Sequence, residues 1–172
     1  MQIFHVSQGQ THDIESAGGY LWSPQRNKQG SKNIGYETMK EVQAGDVIFH
    51  GANQETYAIS IAKESCYESK QPRFNELAAG EGTWNKHGYR IDSDYTILKS
   101  PLDMKKHSSW LAVHHIPKTA FDRNGHRSQS YLRRLPFEQA EYIVIELMKL
   151  PQNLSALSLM NDLLVDIQNK LH

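Results

Sequence analysis

Two aromatic residues stand where a chain has little structural reason to put them. Trp22 closes a short apolar stretch, Tyr20-Leu21-Trp22, and is followed at once by Ser23-Pro24-Gln25-Arg26-Asn27-Lys28. Tyr36 lies in the polar segment from Pro24 to Lys40, which Gly30 and Gly35 interrupt. A pair of rings beside Arg26 and Lys28 suits a nucleobase drawn out of its stack. Rings cover its faces, polar groups read its edge, and cations hold the flanking phosphates. The other aromatics, Tyr20, Phe49, Tyr57, Trp84, Tyr89 and Tyr131, are spread over strands and loops. Phe49 and Tyr57 fall on apolar strand faces and read as core. Trp84 and Trp110 read as core or helix-docking residues, and Tyr131 as packing.

A second chemistry is suggested by Val113-His114-His115-Ile116-Pro117, with Asn124 and His126 after it. This is similar to the opening of an HNH nuclease motif, where one histidine helps to bind a metal and another activates water. The interval is short, however. Asn124 follows His115 by only nine residues, next to Gly125, and no helix-borne histidine comes after. Solvated or phosphate-facing histidines are the simpler reading, with a metal-dependent nuclease as an alternative. Nucleophilic catalysis finds little support: there is no G-x-S-x-G elbow, and Cys66 has no evident histidine partner and reads as a structural thiol. No glycine-rich phosphate loop is present. The expectation is a binding module with no catalytic residue, metal ligand or cofactor of its own.

The elements that must position these residues follow from periodicity. Ile3 to Val6, Tyr20 to Trp22, Asp46 to His50, Thr56 to Ala62 and Tyr89 to Leu98 read as strands. Gly51-Ala52-Asn53-Gln54 reads as a hairpin connection. In the strand from Thr56, Tyr57, Ile59 and Ile61 are expected on one face and Ala58, Ser60 and Ala62 on the other. Residues 102–114 suit a short helix, and Pro136 to Leu150 a longer one opened by proline. Residues 153–171 carry Leu157, Met160, Leu164, Ile167 and Leu171 at steps of three and four, an amphipathic helix. Together these predict an α+β fold, a small twisted β-barrel with helices packed around it.

At 172 residues the chain has the length of one domain, or of one domain with an appendage. Nineteen Lys+Arg balance nineteen Asp+Glu, and the mean hydropathy is −0.63. The balance conceals an asymmetry. Residues 99–134 hold eight Lys or Arg against two acids, a local excess of six positive charges offset elsewhere. That segment suits a one-sided face for nucleic acid. No apolar run approaches the roughly 20 residues of a membrane span, and residues 1–20 lack a signal-peptide pattern. The single cysteine excludes an internal disulfide and a cysteine-based zinc site, which suits a reducing, cytoplasmic setting.

An ordered series of motifs carries a resemblance. Tyr20-Leu21-Trp22-Ser23-Pro24, Met39 to Val42, Gly45-Asp46-Val47-Ile48-Phe49-His50 and Ala58-Ile59-Ser60 resemble the EVE domain of the PUA-like superfamily, a relative of YTH domains. The series continues with Trp84, Gly88-Tyr89-Arg90-Ile91-Asp92, Asp94-Tyr95 and Leu98-Lys99-Ser100-Pro101. It ends with Phe121 to Gly125 and Ser128-Gln129-Ser130-Tyr131-Leu132. These are similar to EVE-like modules of bacterial modification-dependent restriction endonucleases, which are often fused to an HNH nuclease. Ser128 and Ser130 stand where those modules carry Asn and Gly, and Tyr36 where they often carry Trp.

The resemblance implies a PUA-like barrel over residues 1–149 that flips a modified base, 5-methylcytosine or 5-hydroxymethylcytosine, out of duplex DNA. Trp22 and Tyr36 would cover the base, Ser23 and Gln129 would read its edge, and His50 and Asn53 would close the pocket. Arg26, Lys28, Arg123 and Arg127 would meet phosphates. Residues 150–172 would form an exit helix toward a nuclease domain, with dimerisation through that region or the missing domain. A reader of N6-methyladenine is the alternative from the same superfamily.

Overall fold

The computed structural model describes residues 1–73 and 87–172; Trp84 lies outside the described residues. Seven strands are present among them: β1 (Ile3–Ser7), β2 (Tyr20–Pro24), β3 (Val47–Ala52), β4 (Glu55–Ala62), β5 (Tyr67–Lys70), β6 (His87–Asp103) and β7 (Leu132–Arg134). They form one sheet in the order β2-β6-β4-β3-β1-β7, with β5 also paired to β6. β1 runs parallel to β3, and the other pairs are antiparallel. The 17-residue β6 serves two neighbourhoods. Its first residues pair with β2 and β5, and from Ser93 onward it pairs with β4.

The apolar run Val47-Ile48-Phe49 is continuous because β3 is covered on both faces. Val47 and Phe49 join Ile3, Ile59, Leu111, Ile143 and Leu147 in a core between the sheet and the helices. Ile48 joins Phe4, Val6, Leu21, Ile91 and Leu132 in a second core. Leu21 and Leu132 come from the two ends of the strand order, so their shared cluster requires the sheet to curl nearly closed around it.

The helical elements are α1 (His12–Gly18), α2 (Ile34–Glu37) running into a 3₁₀ turn (Thr38–Glu41), a second 3₁₀ turn (Met104–His107) leading into α3 (Ser108–Val113), α4 (Phe137–Met148) and α5 (Leu154–Leu171). The helix expected over 102–114 is thus split, with β6 continuing through Asp103. The long strand replaces the one expected to end at Leu98. In α5, the Asn153 side chain accepts from Ala156 N–H at 2.8 Å, which satisfies one of the open donors of the first turn. Ala156, Met160, Leu163 and Ile167 bury the inner stripe of α5 in the same core as α4 and the sheet. Trp110 docks α3 onto α4: its ring stacks on Tyr142 at 3.8 Å and 2°, and on His114 at 3.8 Å and 12°. None of the helices among the described residues is long and apolar enough to cross a membrane.

Tyr57 departs from the expected alternation. The β4 register shifts between Thr56 and Ala58, and this bulge turns Tyr57 away from Ile59 and Ile61. Its ring instead meets His50 and His12, and its hydroxyl donates to Gln8 Oε1 at 2.6 Å. α1, α2, β5 and β7 lie in segments where the sequence carries no clear periodicity; each is seven residues or shorter.

Candidate functional site

Where the end of β1, β2, α2 and the segment before β7 converge, the surface opens into a cavity of about 360 Å³. Trp22, Ser23, Lys28, Tyr36 and Gln129 line it, together with Ser7, Asn33 and Tyr131. Two of these placements depend on glycines. A Cβ on Gly88 would overlap both the Ser23 carbonyl oxygen and the Trp22 ring, so only glycine lets the indole lie against β6. A Cβ on Gly35 would sit 2.5 Å from Tyr131 N, so the glycine lets α2 close onto the 130–131 backbone. Asn33 fixes the start of α2 by accepting from Gly35 N–H at 2.8 Å. Tyr36 then stands half-buried, edge-on to Tyr131 with centroids 6.3 Å apart, and burial raises its phenol pKa.

Trp22 is only 5% exposed, and its Nε1–H donates to Ser69 O at 3.4 Å. Ser23 Oγ is buried and has no hydrogen-bond partner among the described residues. Ser23 as a residue lines the cavity, with a covered hydroxyl that no protein group among the described residues uses. Lys28 and Gln129 are exposed and add a cation and an amide. The wall therefore offers two aromatic rings, polar groups of both kinds and one positive charge.

Beneath the cavity lies a polar cluster that the sequence did not single out. Glu15 of α1 is fully buried. Its Oε1 accepts from the Trp22 backbone N–H at 2.8 Å and the Tyr131 hydroxyl at 2.7 Å. Its Oε2 accepts from Gln8 Nε2 at 2.9 Å and Thr11 Oγ1 at 3.0 Å. Burial raises the carboxyl pKa, against the lowering effect of these four donors. Gln8 turns its amide N–H to the carboxylate, so its Oε1 faces the other way and accepts from Tyr57 and from His50 Nδ1, at 3.0 Å. His50 Nε2 then accepts from Ser60 Oγ at 2.7 Å. Burial, then the neighbouring His5, holds His50 well below the usual histidine range, so the ring is neutral. A directed chain thus runs from Ser60 through His50 and Gln8 to Glu15, and Glu15 fastens both Trp22 and Tyr131. A Thr-x-x-x-Glu spacing after β1 is its only local trace.

The remaining sequence-marked residues lie elsewhere. His50 is in the interior of the curl with both ring nitrogens occupied and does not line the cavity. Asn53 sits in the β3–β4 hairpin turn at φ 49°, a conformation asparagine accepts readily, and it is also outside the cavity. Arg26 is exposed and donates to Gly30 O at 3.0 Å, bracing its own loop. Arg123 is exposed in the tight turn that Asp122 organises by accepting from Asn124 and His126 N–H. Arg127 is partly buried, with Nη1 in the space a Gly51 side chain would occupy and beside His5; burial lowers its pKa. His5 is pushed down to about 3 by burial and by the Arg127 charge. Of the histidines in the HNH-like stretch, His114 Nδ1 is bonded to Trp110 O and His115 Nδ1 to Phe121 O. Among the described residues no group of three or more His, Cys, Asp or Glu is arranged to hold a metal. Burial pushes the half-covered Cys66 thiol up to about 12, far from a reactive thiolate.

The sequence matches no protein-family model, and no curated protein matches it. Solved structures do. The chain is similar to Rpa0253 from Rhodopseudomonas palustris at 15% identity and a TM-score of 0.56, over 88% of this chain and 96% of that one. It is similar to ASCH from Zymomonas mobilis at 10% identity and 0.51, over 84% and 94%. It is also similar to the YTH domain of the Zygosaccharomyces rouxii MRB1 protein, solved in complex with N6-methyladenosine RNA, at 8% identity and 0.52, over 85% and 86%. The fold is α+β and PUA-like, a curled mixed sheet flanked by helices.

Proposed function

We propose that this chain binds nucleic acid and reads one modified base by taking it into the Trp22–Tyr36 cavity. The observation that carries the reading is the cavity itself: two aromatic rings, an unpartnered Ser23 hydroxyl and a cation around about 360 Å³, the low end of the range for small-ligand pockets. The PUA-like fold supports it, because a YTH domain of the same fold was solved with a methylated nucleoside in RNA. The substrate of our reading is duplex DNA carrying 5-methylcytosine or 5-hydroxymethylcytosine. The chain acts there as the targeting module of a modification-dependent restriction endonuclease, with cleavage done by a separate nuclease domain.

The energetics constrain the mechanism. Stacking contributes about 1–3 kcal/mol per base, and extrusion from a duplex costs a few kcal/mol. The rings alone therefore roughly offset flipping, and net affinity must come from phosphates. A buried methyl adds only about 0.8 kcal/mol, so strong discrimination needs the shape of the cavity and the Ser23 and Gln129 edge as well. The test is affinity for matched duplexes with and without the modified cytosine at fixed salt. Preference for the modified duplex, removed by Trp22→Ala, is the expected result; equal affinities would end the reading. The second reading, N6-methyladenine in RNA, is favoured by the YTH complexes alone, and a methylated RNA in the same panel separates the two.

A further inference from the structure

We infer that a second depression, on the far side of α2 from the base cavity, holds a backbone phosphate of the same nucleic acid. This rests on the base-reading proposal but concerns residues that it does not use. The cleft is about 390 Å³ and is lined by Lys118, Arg133, Arg134, Glu41, Ile34 and Thr38. Three cations meet one carboxylate there. Arg134 Nε is paired with Glu41 Oε2 at 2.7 Å. Arg133 is different: its Nε is buried with no hydrogen-bond partner, and among the described residues neither Arg133 nor Lys118 lies within ion-pair distance of a carboxylate. No carboxylate offsets the Arg133 and Lys118 charges where these residues line the cleft, and a phosphate there supplies the countercharge.

Position ties the cleft to the cavity. Tyr36 faces the base cavity, while Ile34 and Thr38, two residues before and after it, face the cleft. Two residues along a helix turn the side chain by about 200°, so the two depressions lie on opposite sides of one helical turn, roughly 10 Å across. One strand carries a charge every ~3.4 Å along the duplex axis. The phosphate in the cleft is therefore about three nucleotides from the flipped base. β7 carries Arg133 and Arg134 directly after Gln129 and Tyr131, so one short segment spans both sites.

The test is the salt dependence of binding to the modified duplex and to its unmodified match. One phosphate contact contributes about 0.9 to the slope of log K against log salt, or about fivefold in affinity at 0.15 M. Arg133→Gln and, at an exposed position, Lys118→Gln are each expected to weaken both duplexes by about that factor. The slope should flatten by about one while the modified-to-unmodified ratio stays fixed; Arg133→Lys should keep the slope. Glu41→Gln, which releases Arg134, should tighten both duplexes and steepen the slope. Unchanged slopes in all the charge variants, or a ratio that moves with them, would overturn the inference. The two proposals fail separately. Slopes that respond in a protein without preference for a modified base would leave the cleft standing and remove the reader. A protein that binds the phosphate-free nucleoside 5-methyl-2′-deoxycytidine but no duplex would do the reverse.

Discussion

Glu15→Gln tests whether the buried cluster beneath the cavity holds the aromatic wall in place. Four donors converge on the Glu15 carboxyl: Trp22 N–H and Tyr131 O–H on one oxygen, Gln8 N–H and Thr11 O–H on the other. Glutamine has nearly the same shape but replaces one oxygen with an NH₂ group. In one orientation that group faces the Trp22 backbone N–H, which cannot turn round. In the other it faces Gln8 Nε2, and a flip of the Gln8 amide to meet it would turn that N–H onto the Tyr57 hydroxyl and His50 Nδ1, which donate to Gln8 Oε1. The hydroxyl on the same side can rotate to accept. One buried donor is left without an acceptor, at a cost of about 1–3 kcal/mol. For a chain of this length each kcal/mol moves the melting temperature by roughly 2–4 °C, so the loss should be roughly 2–12 °C.

The pH dependence fixes the sign. Burial holds the folded Glu15 pKa above its ordinary value of 4.5. Between the two values the folded protein keeps a proton that the unfolded chain has lost, so the wild-type contribution of Glu15 is complete below about pH 4.5 and declines as pH rises through the folded pKa. The glutamine amide in the variant does not titrate. His5 and His50 titrate in both proteins and cancel in the difference. Urea unfolding from pH 5 to 8 should therefore show wild type more stable, with the gap largest at the acid end. A gap absent throughout, or one that widens with pH, would refute the account. Because the lost donor is the anchor of Trp22 or of Gln8, affinity for the modified duplex should fall with stability, by more than affinity for the unmodified one.

Two further outcomes follow from the packing. Gly88→Ala places a methyl group into the Ser23 carbonyl and the Trp22 ring, an overpacking that costs about 1–3 kcal/mol; unchanged urea stability together with unchanged base preference would mean the indole is not held by β6. His5, with its pKa pushed from 6.5 down to about 3, takes up a proton when unfolded that it refuses when folded, so its contribution is complete above pH 6.5 and falls as pH drops toward 3. Between pH 7.5 and 5 this amounts to about 2 kcal/mol, and His5→Gln should remove that much of the acid loss, a result excluded if both proteins lose stability in parallel.

What the sequence made legible was local. Trp22 ends a strand and is followed by polar residues, and Tyr36 lies in a glycine-broken segment; both signals sit within a few residues, and the two side chains line the same cavity together with Ser23, Lys28 and Gln129. Glu15 was illegible for the opposite reason. An acid in a seven-residue helix without apolar periodicity reads as solvated, and only donors 7 and 116 positions away, Trp22 and Tyr131, make it a buried anchor. His50 shows how a correct neighbourhood yields a wrong direction. It alternates with Phe49 on a strand near the site, but one face of β3 looks into the curl, and the ring is spent on Gln8 and Ser60.

The positive segment 99–134 makes the same point about charge. Its excess of six is a property of the chain, and folding distributes it. Arg127 packs against His5 and Gly51, Arg134 is paired with Glu41, and Lys106 reaches back toward Asp103. What remains, among the described residues, without a carboxylate at the mouth of a depression is Arg133 with Lys118, beside the helix whose other side faces the Trp22–Tyr36 cavity. A run of like charges predicts attraction to nucleic acid. On our proposal, the members that meet a phosphate are those that folding leaves both without a carboxylate and open to a depression.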